Sequence, residues 1–262
     1  MKRRRTTAVA LTVAGSDSGG GAGIQADLKT FHAHNVFGTS AITCLTAQNP
    51  KRVSAVQALE PRLVAEQMDR VFEAFRIGGA KTGMLYDATI IETVANGFAR
   101  RRFRKLVVDP VMVATSGALL LKKDAITELK TKLLPRAAVV TPNLAEAEVL
   151  WQRSIRTVEE LGEAARALAG RFEVPFLVKG GHVPGARCAV DVLYDGRRLR
   201  EFSGPWVRDV KPHGAGCTFS AAIAANLALG YNLTESIRRA KIFVSKAIRD
   251  SISLGKYRAL NF

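Results

Sequence analysis

A glycine-rich turn near the C-terminal end of the chain has the residue types for phosphoryl chemistry. It consists of Gly214, Ala215, Gly216 and Cys217, and it leads into a predicted apolar helix over residues 217–229. The backbone N–H groups of such a turn converge at the helix N-terminus, where they can bind the oxygens of a phosphoryl group. The same helix end is expected to lower the pKa of the Cys217 thiol. A buried structural role is the commonest alternative for a lone cysteine.

A second glycine-rich segment, residues 15–23, follows a predicted strand over residues 9–14. Five of its nine residues are glycines, which let the backbone approach a ligand closely. The segment has neither the Gly-Lys-Ser/Thr end of a Walker A loop nor the G-x-G-x-x-G spacing of a dinucleotide-binding turn. It is interpreted as a binding loop of another kind, with Asp27 about one helical turn beyond it facing the same pocket. A flexible loop without function is the alternative.

Carboxylate and amide side chains follow two further predicted strands. Asp109 ends the apolar run over residues 105–109, where a carboxylate can hold Mg²⁺ or its water shell. Asn143 and Glu146 open a predicted helix after the strand at residues 138–141, and they are candidates for a water network around Mg²⁺ and phosphate. Each also has a plainer explanation. Asp-Pro is a turn signal, and a carboxylate in a first helical turn is stabilising by about 0.3–1 kcal/mol without any ligand.

A lysine ends the predicted strand over residues 176–179, and two glycines follow it. Lys179, Gly180 and Gly181 have the charge and the open backbone to accommodate nucleotide phosphates. His182 follows them, but a lone histidine is more often structural than catalytic.

Strands and helices alternate along most of the chain, which predicts βαβ units and a mainly parallel sheet covered on both faces. Ligands bind beyond the carboxyl ends of the strands in such sheets, which is where these clusters lie. The predicted strands are residues 9–14, 39–45, 105–109, 138–141 and 176–179, followed by a hairpin of residues 190–194 and 199–202 around Asp195-Gly196. The predicted helices are residues 22–34, 63–75, 89–101, 125–133, 159–172, 217–229 and 233–252. No linker or repeat interrupts this pattern, so residues 1–262 are predicted to form one domain.

The net charge of +16 on 262 residues is the unusual feature of the composition. The charge is scattered and no nucleic-acid-binding motif accompanies it, so a basic surface is favoured over nucleic-acid binding. The basic residues 2–5 before the apolar residues 8–14 resemble the start of a signal peptide, but a first buried strand explains them better. No other stretch reaches transmembrane length. Three cysteines without C-x-x-C spacing favour a reducing compartment, and a cytoplasmic location is predicted.

Together these motifs resemble the hydroxymethylpyrimidine kinase / phosphomethylpyrimidine kinase family of thiamine biosynthesis, within the ribokinase superfamily. The resemblance covers residues from about 8 to 250, and it is carried by residues 14–30, 46–49, 81–85, 141–143, 179–182 and 213–218. Cys217 decides the subfamily, because most ribokinase-like enzymes have an aspartate there. Ala215 is a departure, since the family usually has a threonine at that position.

The resemblance implies an α/β fold, a ribokinase-like three-layer sandwich with a mainly parallel central sheet flanked by helices. It implies an ATP- and Mg²⁺-dependent kinase, a homodimer, that phosphorylates the hydroxymethylpyrimidine and then its monophosphate. Gln48 is expected to hydrogen-bond the pyrimidine, and the residues expected to line the substrate pocket are Gly15, Asp27, Met84 and Val111. The Mg²⁺–phosphate region is expected to contain Asp109, Asn143 and Glu146, and the ATP phosphates to lie near Lys179, Gly180 and Gly181. Gly214, Ala215, Gly216 and Cys217 are expected to form the anion hole, with Cys217 as the base.

Two other functions are left open. A pyridoxine or pyridoxal kinase could use the same scaffold, because some kinases of the cysteine type accept pyridoxal. A non-catalytic binding protein could retain the pocket, although intact candidates such as Asp109 and Cys217 argue against that.

Overall fold

A computed structural model gives the structure of residues 7–112, 121, 123–181, 183, 186–207 and 213–262. The basic residues 2–5 and His182 lie outside these described residues.

The main sheet has nine strands in the described ranges, in the order β3-β2-β1-β4-β5-β6-β7-β8-β9. Its central strands, from β2 through β1 and β4 to β7, are parallel, whereas β3, β8 and β9 are antiparallel additions at the two edges. The strands of this sheet are β1 Val9–Asp17, β2 Phe37–Asn49, β3 Arg52–Ala58, β4 Ile77–Thr82, β5 Leu106–Val108, β6 Val139–Val140, β7 Phe176–Gly180, β8 Ala189–Tyr194 and β9 Leu199–Gly204. A separate two-stranded ribbon near the C-terminus pairs β10 Ile252–Leu254 with β11 Tyr257–Ala259.

Helices cover both faces of the sheet. The helices are α1 Gly23–Ala33, α2 Pro61–Ala74, α3 Ala88–Arg100, α4 Lys123–Glu128, α5 Leu144–Trp151, α6 Val158–Phe172, α7 Ala215–Ala228 and α8 Leu233–Arg249. Helices α2, α3, α5 and α6 enclose one hydrophobic core with one face of the sheet, and α1, α7 and α8 enclose another with the opposite face. The predicted three-layer α/β sandwich with a mainly parallel sheet is therefore confirmed.

The apolar runs become the central strands because both faces of the sheet are covered. Along β1, residues 10–15 are all buried, so side chains of both alternating sets lie in a core. The hairpin around Asp195-Gly196 is confirmed, with Gly196 at a φ of 90°, but Tyr194 pairs with Leu199, so the turn has four residues, 195–198, and not two.

Strand β4 was not predicted from its sequence, which contains two consecutive glycines. A Cβ at Gly79 would lie 2.3 Å from the carbonyl oxygen of Ala224, and one at Gly78 would lie 3.0 Å from that of Ala228. These glycines let the backbone of α7 lie directly against β4. The close approach places the N-terminal end of α7 at the carboxyl edge of the sheet.

Candidate active site

The glycine turn caps helix α7 in the way the sequence predicts. Gly214 is the N-cap residue with a left-handed φ of 88°, and Ala215, Gly216 and Cys217 form the first turn. A Cβ at Gly214 would lie 1.7 Å from the carbonyl oxygen of Gly21, so the two glycine-rich segments are in direct contact. The N-terminus of α7 therefore opens beside the loop that follows β1.

Asp17 organises that loop. Its Oδ1 accepts a hydrogen bond from the N–H of Gly19 at 2.8 Å, and Oδ2 accepts from those of Ala22 at 2.8 Å and Gly21 at 3.2 Å. Burial acts against the charged form, but the hydrogen bonds from His213 and from these backbone groups outweigh it and hold the pKa of Asp17 below its ordinary value. The loop is therefore wrapped around a carboxylate, which rules out the interpretation of residues 15–23 as a flexible loop.

His213 joins the loop to strand β2. Its Nε2 lies 3.0 Å from Oδ2 of Asp17 and 3.0 Å from the side-chain amide of Gln48. No role was predicted for Asp17 or His213, because their contact joins residues 196 positions apart along the chain.

Gly15 and Met84 meet at the ends of β1 and β4. The N–H of Gly15 donates to the carbonyl oxygen of Met84 at 3.0 Å, and Thr43 Oγ1 donates to the same oxygen at 2.7 Å. A Cβ at Gly15 would lie 2.7 Å from Cys44 Sγ, so glycine is required for this close packing. Val111 lies beyond the end of β5 with a φ of 43°, a left-handed conformation that is strained for a β-branched residue.

Asp109 lies at the end of β5 between a lysine and a serine. Lys179 Nζ is 2.9 Å from its Oδ1, and Ser220 Oγ of helix α7 donates to its Oδ2 at 3.0 Å. Burial opposes the charge on the ammonium group, but the Asp109 and Glu146 carboxylates outweigh it and raise the pKa of Lys179. A Cβ at Gly216 would lie 3.4 Å from Lys179 Nζ, so the lysine charge lies against the glycine turn.

Asn143 and Glu146 form the capping box of helix α5. Glu146 N donates to Asn143 Oδ1 at 3.0 Å, and Glu146 Oε2 accepts from Asn143 N at 2.9 Å. The other oxygen, Oε1, accepts from Met112 N at 3.0 Å. Burial raises the pKa of Glu146, the charge of Lys179 lowers it and that of Asp109 raises it again, for a net increase. Asn143 and Glu146 therefore have the structural role of capping helix α5. The same arrangement places the buried Glu146 carboxylate in the electrostatic field of Asp109 and Lys179.

The oxygen donors of this region fit a magnesium ion held together with phosphates. Within the described ranges, no group of three His, Cys, Asp or Glu side chains could hold a metal by itself. Mg²⁺ in phosphate-transferring sites needs only one or two carboxylates, because phosphates and water supply its other ligands. Asp109 and Glu146 meet that smaller requirement.

Asp27 is not on the pocket wall, which corrects the sequence prediction. Its side chain is fully buried, where both oxygens contact Lys81 Nζ at 3.1 and 3.0 Å and Oδ2 accepts from Thr12 Oγ1 at 2.6 Å. Burial opposes the charge on Lys81, but the carboxylate beside it outweighs this and raises the pKa of the lysine. The carboxylate is used inside the protein because the fully buried Lys81 needs a counter-charge.

The pKa of Cys217 is also different from the prediction. Burial raises the pKa of this thiol to about 11, although the charge of Lys81 and a hydrogen bond from the N–H of Gly23 act in the opposite direction. Asp27 and Asp109 raise it further. The expected lowering at a helix N-terminus was wrong because the enclosure of the thiol and two nearby carboxylates dominate.

The two glycines after Lys179 differ in their surroundings. Gly180 is buried, and its N–H donates at 3.1 Å to Asp191, which is ion-paired with Lys241. A Cβ there would meet Leu161 at 2.3 Å, so packing alone requires this glycine. A Cβ at Gly181 would meet nothing within 4 Å, which leaves Gly181 as the glycine of the two that is open to a ligand.

Comparison with known proteins identifies the family. The sequence profile described as Phosphomethylpyrimidine kinase matches residues 17–260. The hydroxymethylpyrimidine/phosphomethylpyrimidine kinase of Rhizobium meliloti is 47% identical over 255 residues, which cover 96% of this chain and 95% of that protein. The thiamine biosynthesis bifunctional protein ThiED of Geobacter sulfurreducens is 47% identical over 246 residues, and this chain spans half of its length.

Solved structures have the same fold. Bacillus subtilis pyridoxal kinase in complex with ADP superposes with a TM-score of 0.91 at 36% identity, covering 97% of both chains. The phosphomethylpyrimidine kinase of Clostridium difficile 630 superposes with a TM-score of 0.82 at 39% identity, covering 92% of this chain and 100% of the other. No helix in the described part of the chain is long and apolar enough to span a bilayer.

The site has a glycine turn packed on the loop after β1, with the Asp109–Lys179 pair beside it. Together with the profile match over residues 17–260, this shows that the chain belongs to the phosphomethylpyrimidine kinase family.

Proposed function

We propose that this protein transfers the γ-phosphate of ATP to 4-amino-5-hydroxymethyl-2-methylpyrimidine and then to the monophosphate so formed, as a step of thiamine diphosphate biosynthesis. The observation that carries the proposal is the meeting of the glycine turn, Lys179 and Asp109 at the carboxyl edge of the sheet. This is an anion site with a positive charge and a carboxylate beside it. The curated relatives named above support the choice of acceptor.

In this proposal the glycine turn and Lys179 bind the phosphoryl group that moves. The N–H groups at the start of α7 point along the helix axis toward the site, and Lys179 adds a full charge next to Gly216. As the acceptor oxygen bonds to the γ-phosphorus, the bond to the bridging oxygen breaks and ADP leaves. Most of the rate enhancement comes from holding these atoms in line and stabilising the charge on the moving group.

Cys217 is the proposed acceptor of the hydroxyl proton. Its thiol pKa of about 11 keeps Cys217 mostly protonated near neutral pH. The buried charge of Lys81 and the N–H of Gly23 favour this thiolate, whereas Asp27 and Asp109 oppose it. Proton transfer to Cys217 is therefore expected to become faster as the pH rises.

Asp109 and Glu146 would hold Mg²⁺ or its bound water, and the ATP phosphates would supply its other ligands. The ion supplies positive charge that stabilises the phosphate oxygens when it is bound. Lys179 lies within 2.9 Å of Asp109, so it compensates part of the negative charge of this pair.

Gln48 and the ends of three strands are proposed to bind the pyrimidine. Gln48 is half-buried and offers an amide to the ring, while Gly15, Met84 and Val111 lie where β1, β4 and β5 end. Asp27 is left out of this set because it is enclosed with Lys81.

Pyridoxal kinase is the second candidate, because solved pyridoxal kinases resemble this chain over nearly its full length. The Staphylococcus aureus pyridoxal kinase structure with AMP-PCP and pyridoxal has a TM-score of 0.87 and 31% identity over 98% of this chain. Both candidates use the same fold and differ in the heterocycle.

The test is Mg·ATP-dependent release of ADP with five acceptors side by side: the hydroxymethylpyrimidine, its monophosphate, pyridoxine, pyridoxal and ribose. Turnover concentrated on the first two is the expected result, and Cys217→Ala is the matched control for contaminating kinases. Preference for pyridoxine or pyridoxal would replace the proposed acceptor. If none of the five is phosphorylated while ATP still binds, the substrate proposal is wrong and a binding protein becomes the better interpretation. The homodimer and the cytoplasmic location stay predictions, which light scattering and cell fractionation test.

A further inference from the structure

One ring nitrogen of His213 contacts two different groups of the site. Its Nε2 lies 3.0 Å from Oδ2 of Asp17 and 3.0 Å from the side-chain amide of Gln48. A histidine nitrogen either carries a hydrogen or presents a lone pair, so the two neighbours are not independent. The hydrogen-bonding state of one determines how the other must be oriented.

Asp17 determines the state of this nitrogen. Its two carboxylate oxygens already accept hydrogen bonds from the N–H groups of Gly19, Gly21 and Ala22. An ionised carboxylate can only accept, and the pKa of Asp17 is held below its ordinary value. Nε2 of His213 must therefore carry a hydrogen, because a lone pair there would face the negative charge at 3.0 Å.

The hydrogen-bond partners at its two ends then determine which end of the Gln48 amide is the oxygen and which is the nitrogen. The oxygen and nitrogen of an amide are assigned from their hydrogen-bond partners. The end near His213 faces an N–H and must be the oxygen. The structure has Gln48 Nε2 toward His213 and Oε1 toward Thr46, and the partners of the amide require these two atoms to be exchanged. The end away from His213 lies 3.2 Å from Thr46 Oγ1, whose single hydrogen is donated to the carbonyl oxygen of Ser16 at 2.8 Å. Only a lone pair remains on that hydroxyl, so the end near Thr46 must be the nitrogen.

We propose that His213 is a positioning residue that fixes the Gln48 carboxamide, with its oxygen toward His213 and its nitrogen toward Thr46, and thereby selects an aminopyrimidine. This inference rests on the proposed function. The fixed amide keeps one oxygen lone pair and one N–H for a ligand. An aminopyrimidine presents the matching pair, an amino donor beside a ring-nitrogen acceptor. Pyridoxal has no amino group beside its ring nitrogen, so it gains less from a fixed amide.

His213 also has a packing role that a test must separate. A Cβ at Gly21 would lie 2.9 Å from Cδ2 of His213, so the ring lies against the glycine loop. His213→Leu removes the donor, whereas His213→Gln keeps an N–H that can reach the position of Nε2. His34→Leu is the control, since His34 is a half-buried histidine at the C-terminal end of α1 that hydrogen-bonds the carbonyl oxygen of Thr30 and packs against the tilted ring of Phe243.

The kinetic test compares the hydroxymethylpyrimidine with pyridoxal in these three variants. For His213→Leu we expect KM for the hydroxymethylpyrimidine to rise roughly tenfold, the value of one lost hydrogen bond, with kcat within about twofold. KM for pyridoxal should change less than about threefold, and His213→Gln should recover most of the loss. An equal loss for both acceptors, or the same loss in His213→Gln as in His213→Leu, shows a packing role and overturns the proposal.

A spectroscopic test does not depend on the substrate. In a long-range ¹H–¹⁵N spectrum of the free protein, the signals of His213 are identified among the four histidines by their loss in His213→Gln. We expect a hydrogen on Nε2; a hydrogen on Nδ1 alone overturns the proposal. If the wild-type protein phosphorylates no heterocycle, the proposed function fails, while this spectrum still decides the orientation at Gln48.

Discussion

The buried Lys81–Asp27 pair gives the sharpest prediction about stability. Both side chains are fully buried, Lys81 Nζ lies 3.1 and 3.0 Å from the two oxygens of Asp27, and Thr12 Oγ1 donates to the same carboxylate at 2.6 Å. Lys81→Met removes the positive charge and leaves the carboxylate without its counter-charge. Breaking such a pair from one side costs about 3–5 kcal/mol of unfolding free energy. That is a large part of the 5–15 kcal/mol that is typical of a whole domain.

The double variant Lys81→Met/Asp27→Leu separates the loss of the pair from the loss of one partner. Apolar replacement of a whole buried ion pair is often neutral, although Thr12 then loses its acceptor at a cost of about 1–3 kcal/mol. We therefore expect the double variant to be more stable than Lys81→Met by roughly 2 kcal/mol. Lys132→Met is the surface control, because the Lys132–Glu92 pair is about half exposed and 3.7 Å apart. Its loss should change stability by less than about 1 kcal/mol.

Urea unfolding followed by tryptophan fluorescence and far-ultraviolet circular dichroism measures all three variants. A Lys81→Met protein within about 1 kcal/mol of the wild type would refute the argument, because it would mean that Asp27 loses its charge without penalty. A double variant no more stable than the single one would show that the loss came from packing around Lys81.

Three further predictions concern the site. In a steady-state pH profile the wild-type kcat/KM should rise from pH 7 to 9.5, because the thiol of Cys217 has a pKa of about 11 and only its ionised form accepts a proton. Cys217→Ala should lower kcat by roughly 10²–10⁴-fold and remove this rise. Val111→Gly should change the unfolding free energy in the same urea assay by less than about 1 kcal/mol, because relief of the strained φ offsets the loss of the side chain. Val108→Gly in the buried β5 should cost about 3 kcal/mol. Gly214→Ala should be more destabilising than Gly230→Ala by roughly 2 kcal/mol or more, since both glycines have a positive φ but a Cβ at Gly230 meets nothing within 4 Å. Equal decreases in the melting temperature of the two variants would contradict the contact at Gly214.

Most strands and helices could be predicted because periodicity and apolar runs are local signals. The helix predicted at residues 159–172 begins one residue early, at Val158, and the strand predicted at 176–179 extends by one to Gly180. Strand β4 could not be predicted, because Gly78 and Gly79 are poor strand formers. They are needed there because helix α7 packs directly on the backbone of this strand. Strand β3 was also missed, since it is an edge strand with mostly exposed or half-buried residues that lacks a clear apolar run.

The candidate site was predictable where its chemistry is local. The glycine turn at Gly214 and the capping residues Asn143 and Glu146 are recognised from adjacent residues, and the structure contains both arrangements. The partners of Asp27 and the pKa of Cys217 were not predictable, because they depend on what the fold encloses. A carboxylate after a glycine loop suggests a ligand in sequence, whereas burial beside Lys81 turns it into a counter-ion.

The contact between the two glycine-rich segments explains why both are needed in one site. Gly21 and Gly214 approach so closely that a Cβ on the second would overlap the carbonyl oxygen of the first, and His213 ties the same loop to Asp17. The loop after β1 therefore cannot move away from the N-terminus of α7 without breaking a charge-assisted hydrogen bond. Because Gln48 is held by the same histidine, the group proposed to recognise the heterocycle and the turn proposed to bind the phosphoryl group are fixed to each other. Such coupling holds an acceptor in line with the phosphate, and positioning is the main contribution a protein makes to phosphoryl transfer.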